Sequence, residues 1–259
     1  MDMLNPDTFN KEILQVWKNY SGCSKYFPMI YPKLKSNPVL FVGINPSISS
    51  QAFSSVKDYL QQATCSDELK KIKSQSELVN FLKYNVHNVN DRRVKDIACL
   101  ENLFRKHYKY FDGIRRIAGD DWEHVDLFFC RTTKEKDLGL LKDEKLTPFH
   151  QAQFDVTKKL VTSLNPRIVI IINALASRIF AKTCAPGIIN DINWDEMSPQ
   201  DSFFKTHGFY GLKLSSRMVP LFFSSMLTGG QLDRGSRQRL VWHINQALKF
   251  AASSNNPPT

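Results

Sequence analysis

The sequence predicts an α/β fold: a three-layer α/β/α arrangement with a central four-stranded, mainly parallel sheet and a helical insertion. Three observations lead there. Four short apolar runs recur, at residues 39–42, 125–130, 167–173 and 219–223. They are apolar at most consecutive positions, the mark of strands buried on both faces. Segments with helical apolar spacing separate them, so each strand-to-strand connection reads as a crossover and helices cover both sheet faces. One domain over residues 1–252 accommodates these elements, with the insertion at about 54–120 and a disordered Asn- and Pro-rich tail at 253–259.

Composition limits the function classes. The chain has 259 residues, 42% of them hydrophobic, with 18 Phe, enough for a packed core. Its net charge of +10 suits a protein that meets phosphate, in nucleic acid or nucleotide, although solubility alone also accounts for it. Cys23, Cys65, Cys99, Cys130 and Cys184 are scattered, odd in number and without a Cys-x-x-Cys pair. They read as reduced thiols of a cytoplasmic protein, with neither a zinc ribbon nor an iron–sulfur cluster indicated. No apolar signal core or membrane span is visible, and the six histidines show no metal-ligand spacing. Neither Gly-x-Gly-x-x-Gly nor Gly-x-Ser-x-Gly occurs, which disfavours a dinucleotide fold and an elbow-type serine hydrolase. No cofactor, metal or membrane is expected, and the chain reads as a monomer.

Taken in order, residues 7–20 form a first helix with Phe9, Ile13, Val16 and Trp17 on one face and Asp7 as its cap. A proline-punctuated aromatic loop at 26–32 leads to the first strand, which stops at Gly43 and an Asn-Pro step. In the insertion, 66–84 and 92–108 each read as a helix, with lysines and arginines on solvated faces. The second strand is placed at 125–130, and Asp126 reads either as an anchor at a strand end or as a site residue. Thr147 caps a helix that carries Pro148 in its first turn and ends at Asn165-Pro166. The third strand follows, then a helix at 174–182. Residues 184–217 are loop-rich, with short strands possible around 208–214. The fourth strand precedes a last helix from about Asp233 to Ala252.

Gly43-Ile44-Asn45-Pro46-Ser47-Ile48-Ser49-Ser50 resembles the first active-site motif of the uracil-DNA glycosylase superfamily, closest to its mismatch-specific uracil/thymine branch. Ser47 stands where that branch has glycine. The second strand with Cys130-Arg131, and the helix, Asn-Pro, strand, Asn-Ala segment around 165–176, resemble later superfamily segments in order. The resemblance covers most of the chain outside the insertion. It implies a DNA glycosylase of base excision repair that flips a uracil-like, damaged or mismatched base into a pocket and hydrolyses its N-glycosidic bond. Asn45 would orient the water. Asp126 would occupy the place of the asparagine that reads the base edge. Gly43, Ile44, Pro46 and Ser47 would border the base, an aromatic such as Phe53 or Tyr59 would stack on it, and Ser224 and Ser225 would flank it. Met226 and Leu227 would wedge into the base stack, while Arg234 and Arg237 would hold phosphate at the last helix's start. Those arginines otherwise point into water or pair with Asp191, Asp195 or Glu196. The superfamily's histidine after the last strand is missing.

Two other functions fit the same residues. Ser47, Asp126 and the missing histidine suit a domain that binds a modified base, nucleotide or DNA without cleaving it. A free nucleoside or nucleotide hydrolase, its pocket closed by the insertion, is the third.

Overall fold

Chain order begins with a small antiparallel ribbon, β1 (Met3–Leu4) and β2 (Leu34–Lys35), around helix α1 (Asp7–Asn19). The computed structural model describes residues 3–47, 49–131, 141–142, 145–181, 209–214, 217–224, 227 and 233–254. α1 buries Phe9, Ile13, Val16 and Trp17, as their spacing requires. Its N-terminal cap is not Asp7. Asn5 Oδ1 accepts the Asp7 N–H at 2.9 Å, and Asp7 lies in the first turn, where its charge complements the helix dipole.

The main sheet is five-stranded and mixed, rather than four-stranded and mainly parallel. Its members are β3 (Val39–Gly43), β4 (Trp122–Asp126), β7 (Ile168–Ile171), β8 (Tyr210–Leu214) and β9 (Arg217–Phe223), in the order β4-β3-β7-β9-β8. A two-residue ribbon, β5 (Leu141–Lys142) with β6 (Lys145–Leu146), stands apart. The pairs β4–β3, β3–β7 and β7–β9 are parallel; β8 runs antiparallel to β9. The extra strand follows from chain length: two residues between Leu214 and Arg217 allow a hairpin but no crossover. The alternation of Tyr210, Leu212 and Leu214 with Gly211 and Lys213 was its signal.

The strand expected at 125–130 lies earlier, at Trp122–Asp126. Glu123 and His124 interrupt the apolar pattern there, yet both are buried. Residues 127–130 run on past the strand end, Leu127 and Phe128 donating their N–H groups to Gly43 O and Ile44 O at 3.1 and 3.0 Å. Gln153 Oε1 accepts the N–H groups of Phe129 and Cys130 at 2.8 and 3.1 Å.

The insertion is helical: α2 (Ser50–Leu60), α3 (Asp67–Lys70), α4 (Gln75–Phe81), α5 (Asp91–His107) and α6 (Tyr110–Ala118). The single helix expected at 66–84 is two. Ser74 starts the second, its Oγ accepting Glu77 N–H at 3.2 Å while Glu77 Oε2 accepts Lys73 N–H at 2.7 Å. This cap restarts the helix at the interruption of the apolar stripe between Ile72 and Val79. α6 went unread in the sequence. α7 (Pro148–Leu164) begins at Thr147 and ends at a left-handed Asn165, as expected. α8 (Ala174–Ala181) and α9 (Arg234–Ser254) complete the chain; α9 reaches into the expected tail, whose residues 255–259 lie outside the described ones.

Alternate strand residues feed separate hydrophobic clusters on the two sheet faces. Leu40, Val42, Val169 and Ile171 pack with Trp17 of α1 and Phe154 of α7. Val39, Phe41, Ile168 and Ile170 pack with α2, α5, α6 and Ile244 of α9. On this second face Leu227, just beyond β9, is buried over Gly113 of α6: a Cβ on Gly113 would sit 2.8 Å from Leu227 Cβ and 2.9 Å from Leu227 O. Gly113→Ala gains about 1 kcal/mol in helix propensity but overpacks, which costs about 1–3 kcal/mol. Urea unfolding should show net destabilisation that Leu227→Ala does not cure, because the backbone oxygen remains in the way.

Candidate functional site

The parallel strands run in the order second, first, third, fourth along the sheet. The connection after β3 runs to β4 on one side and the chain after β7 runs to the other side, so the loops at the carboxyl ends of β3 and β7 diverge and open a crevice, the place where such sheets bind ligands. A cavity of about 340 Å³ lies there. That volume is near the lower end of the roughly 300–1,000 Å³ range of small-molecule sites.

Asp126, which closes β4, lines the cavity beside its register partner Gly43, which closes β3. The missing side chain at Gly43 is a geometric necessity. A Cβ there would overlap Asp126 Oδ1 outright and come within 3.1 Å of His124 Nε2. His124 and Asp126 are two apart on one strand, hence on one face, and their Nε2 and Oδ1 atoms are 3.9 Å apart. Asp126 is 3% exposed and His124 6%.

Burial disfavours the charged form of each. It raises the Asp126 carboxyl to about 8, with the Glu101 carboxylate adding to the rise and Arg131 partly offsetting it. It lowers His124 to about 3, and Arg105 pushes the same way. At neutral pH the pair is an uncharged imidazole beside an uncharged carboxylic acid. Formal charge nearby is held in pairs. Arg131 is bound to Glu101 and donates to Phe27 O and Pro28 O at 3.1 and 3.3 Å. Arg105 is bound to Glu123, whose oxygens also accept the N–H groups of Lys35 and His124, each at 3.0 Å.

Ile44, Asn45, Pro46 and Ser47 form one side of the cavity, continued by Ser49 and Gln51 at the start of α2. Asn45 Nδ2 donates to Pro46 O at 3.1 Å and Cys130 O at 3.4 Å, tying the β3 loop to the β4 loop. Asn173 enters from the end of β7, its Oδ1 capping α8 through Leu175 and Ala176 N–H. The lining also has an aromatic wall: Phe104 of α5, Tyr108, and Tyr110 and Phe111 of α6. Among the described residues no group of three or more His, Cys, Asp and Glu side chains is placed to hold a metal ion, and no helix is long and apolar enough to cross a membrane.

The structure brings Ile44, Asn45, Pro46, Ser47 and Asp126 together around this cavity, with Gly43 beneath Asp126. It does not bring Phe53 or Tyr59 there. Phe53 is buried in the core under α2, and Tyr59 is exposed, stacked on His107 at 3.5 Å between ring centres. Ser224, half-buried at the end of β9, donates its N–H to Ile171 O at 2.8 Å. Leu227 is buried rather than an exposed tip. Arg234 is exposed and Arg237 half-buried, behind an Asp233 cap that accepts Ser236 N–H at 2.9 Å. Ser225, Met226, Asp191, Asp195 and Glu196 lie outside the described residues. Sequence reasoning missed the aromatic wall, the Glu101–Arg131 pair and His124. Only His124 carried a readable signal, its two-residue offset from Asp126. No protein-family model matches the chain, and no curated protein matches it.

The neutral Asp126 has a thermodynamic signature. An unfolded Asp releases its proton near 3.9, whereas the folded one holds it to about 8. Between those values the folded state binds more protons, so this residue's contribution to stability falls as pH rises and levels off above 8. His124 acts oppositely, but only between about 3 and its ordinary value of 6.5. Urea unfolding at pH 6.5 and 8.5 should therefore show wild type losing more stability across the interval than Asp126→Asn, which has no proton to release. Equal losses would mean that Asp126 is already ionised at pH 6.5.

Proposed function

We propose that this chain is a DNA glycosylase that hydrolyses the N-glycosidic bond of uracil, or of another damaged or mismatched base offering the same edge, in base excision repair. The burial of the Asp126 carboxyl in the cavity, packed against Gly43, is the observation that carries this reading, because burial favours the neutral acid. An ionised aspartate only accepts hydrogen bonds; a neutral one offers an O–H donor beside a C=O acceptor, the same pair as an asparagine amide. A carbonyl next to a ring N–H, as in uracil, is the complementary edge.

The rest of the site supports the reading. The aromatic wall offers π faces to a base drawn out of the stack. Asn45 is fixed by its two carbonyl partners and orients the attacking water. Asparagine cannot take a proton from water at neutral pH, so the reaction is driven by departure of the base, which leaves as an anion from an oxocarbenium-like sugar. Water oxygen bonds to C1′, the base keeps the electron pair of the broken bond, and the water's proton is released. No step calls for a metal or cofactor. DNA is the partner, with Arg234 and the start of α9 as a phosphate contact.

Hydrolysis of a free nucleoside or nucleotide is the second reading. The observations that favour it are the burial of Leu227 over α6 and the cavity wall built from the insertion. Incubation with oligonucleotides carrying uracil, mismatched uracil or thymine, hypoxanthine or xanthine, followed by alkaline cleavage, tests the first reading. Uridine and deoxyuridine with base release followed by chromatography test the second.

Asn45→Ala should lower single-turnover base release about a hundredfold or more while leaving the fold intact, since misplacing a reacting group costs on that order. Full activity in the folded variant would remove Asn45 from the mechanism. If DNA is the substrate, Arg234→Ala with Arg237→Ala should flatten the log K versus log salt slope by about one unit per lost phosphate contact. An unchanged slope would place the DNA surface elsewhere.

A further inference from the structure

Among the described residues, His124 Nε2 is a buried side-chain atom of the cavity lining without a hydrogen-bond partner. A buried polar atom left unsatisfied costs about 1–3 kcal/mol and calls for an explanation. Its surroundings hold the ring in place. Tyr110 and Phe111 meet the imidazole edge-on, at 5.7 and 5.3 Å between ring centres and interplanar angles of 83° and 80°. Asp126 Oδ1, at 3.9 Å, is too far for a hydrogen bond but close enough for both groups to reach one small ring. Gly43 leaves room for both groups, since a side chain there would overlap Asp126 Oδ1 and come within 3.1 Å of His124 Nε2.

We propose that His124 is a second base-contacting residue of this site, donating a hydrogen bond from Nε2–H to a carbonyl of the departing base. The inference rests on the glycosylase reading and deepens it. Burial among aromatic rings, with Arg105 nearby and Asp126 itself protonated, keeps the imidazole neutral. The histidine therefore acts as a fixed dipole toward the charge that develops on the carbonyl as the C1′–N bond breaks, and it keeps its own proton. A neutral histidine can serve such an electrophilic role.

Together the two residues specify the substrate edge. His124 donates; neutral Asp126 accepts and donates. The complement is carbonyl, N–H, carbonyl: the imide edge of uracil, thymine and xanthine. Hypoxanthine has one carbonyl beside its N–H and leaves one donor unpaired in a dry site. Cytosine presents an acceptor where the N–H is needed.

The test is single-turnover release of uracil and of 5-fluorouracil, a better leaving group, from otherwise identical oligonucleotides by wild type, His124→Phe and His124→Gln. Loss of one such donor costs about a hundredfold or more. His124→Phe should lose that much on uracil and clearly less on 5-fluorouracil, because a base that holds its own negative charge needs the donor less. His124→Gln, which keeps an N–H near the Nε2 position, should recover about tenfold or more of the loss. A folded His124→Phe with undiminished uracil release, or equal losses on both bases, overturns the role of His124 and leaves the glycosylase reading standing. A wild-type protein that releases neither base overturns that reading, and the role of His124 with it.

Discussion

The site depends on one close approach, the Asp126 carboxyl group lying against the backbone of Gly43 where β3 and β4 end side by side. Parallel pairing in register brings the two residues level. The missing Cβ lets the carboxyl oxygen occupy space that a side chain would take. The apolar runs on both sheet faces then remove water from around it. A larger residue at 43 would force the carboxyl out, and a polar shell around it would let it ionise. The Gly43 that ends the motif strand and the protonation state of Asp126 are therefore one feature, fixed by one contact.

The other buried charges follow from the same constraint. A cavity containing an uncharged acid and an uncharged imidazole tolerates formal charge nearby only in compensated pairs. Arg131 is met by Glu101 and two backbone carbonyls, and Arg105 by Glu123. Each pair joins the insertion helix α5 to the strand β4 or to the chain just beyond it. The insertion is thus fastened to the site by charge as well as by packing, and it contributes the aromatic wall. A segment that reads in the sequence as an addition to the domain is structurally part of the cavity's lining.

Much of the fold was legible where local chemistry decides local structure. Thr147-Pro148 and Asn165-Pro166 bracket α7 because cap, proline and left-handed asparagine each act within a few residues. The β3 run and its Asn-Pro stop were equally plain. β4 was misplaced because Glu123 and His124 look like surface residues until Arg105 and the aromatic rings that surround them are known; those partners are distant in sequence. β8 was weakly signalled because half of its pattern is Gly and Lys. Within the site, Asn45 and Asp126 stood out through the motif resemblance. The aromatic wall did not, because an aromatic on a helical stripe looks the same whether it faces a core or a cavity. Tertiary placement also decided the fates of Phe53 and Leu227: Phe53 faces the core from α2, and Leu227 is buried against Gly113 of α6.

Uracil-type recognition by this chain requires Asp126 to carry a proton at the pH where it works, and that can be observed without any substrate. Carbon-13 NMR of the side-chain carboxyl carbons, with Asp126 assigned by its disappearance in Asp126→Asn, gives its titration midpoint directly. The account predicts a midpoint near 8, about where burial and Glu101 set it. A midpoint near the ordinary value of about 4 would mean an ionised, acceptor-only aspartate, and would contradict the reading of this site as one that recognises a uracil-like edge.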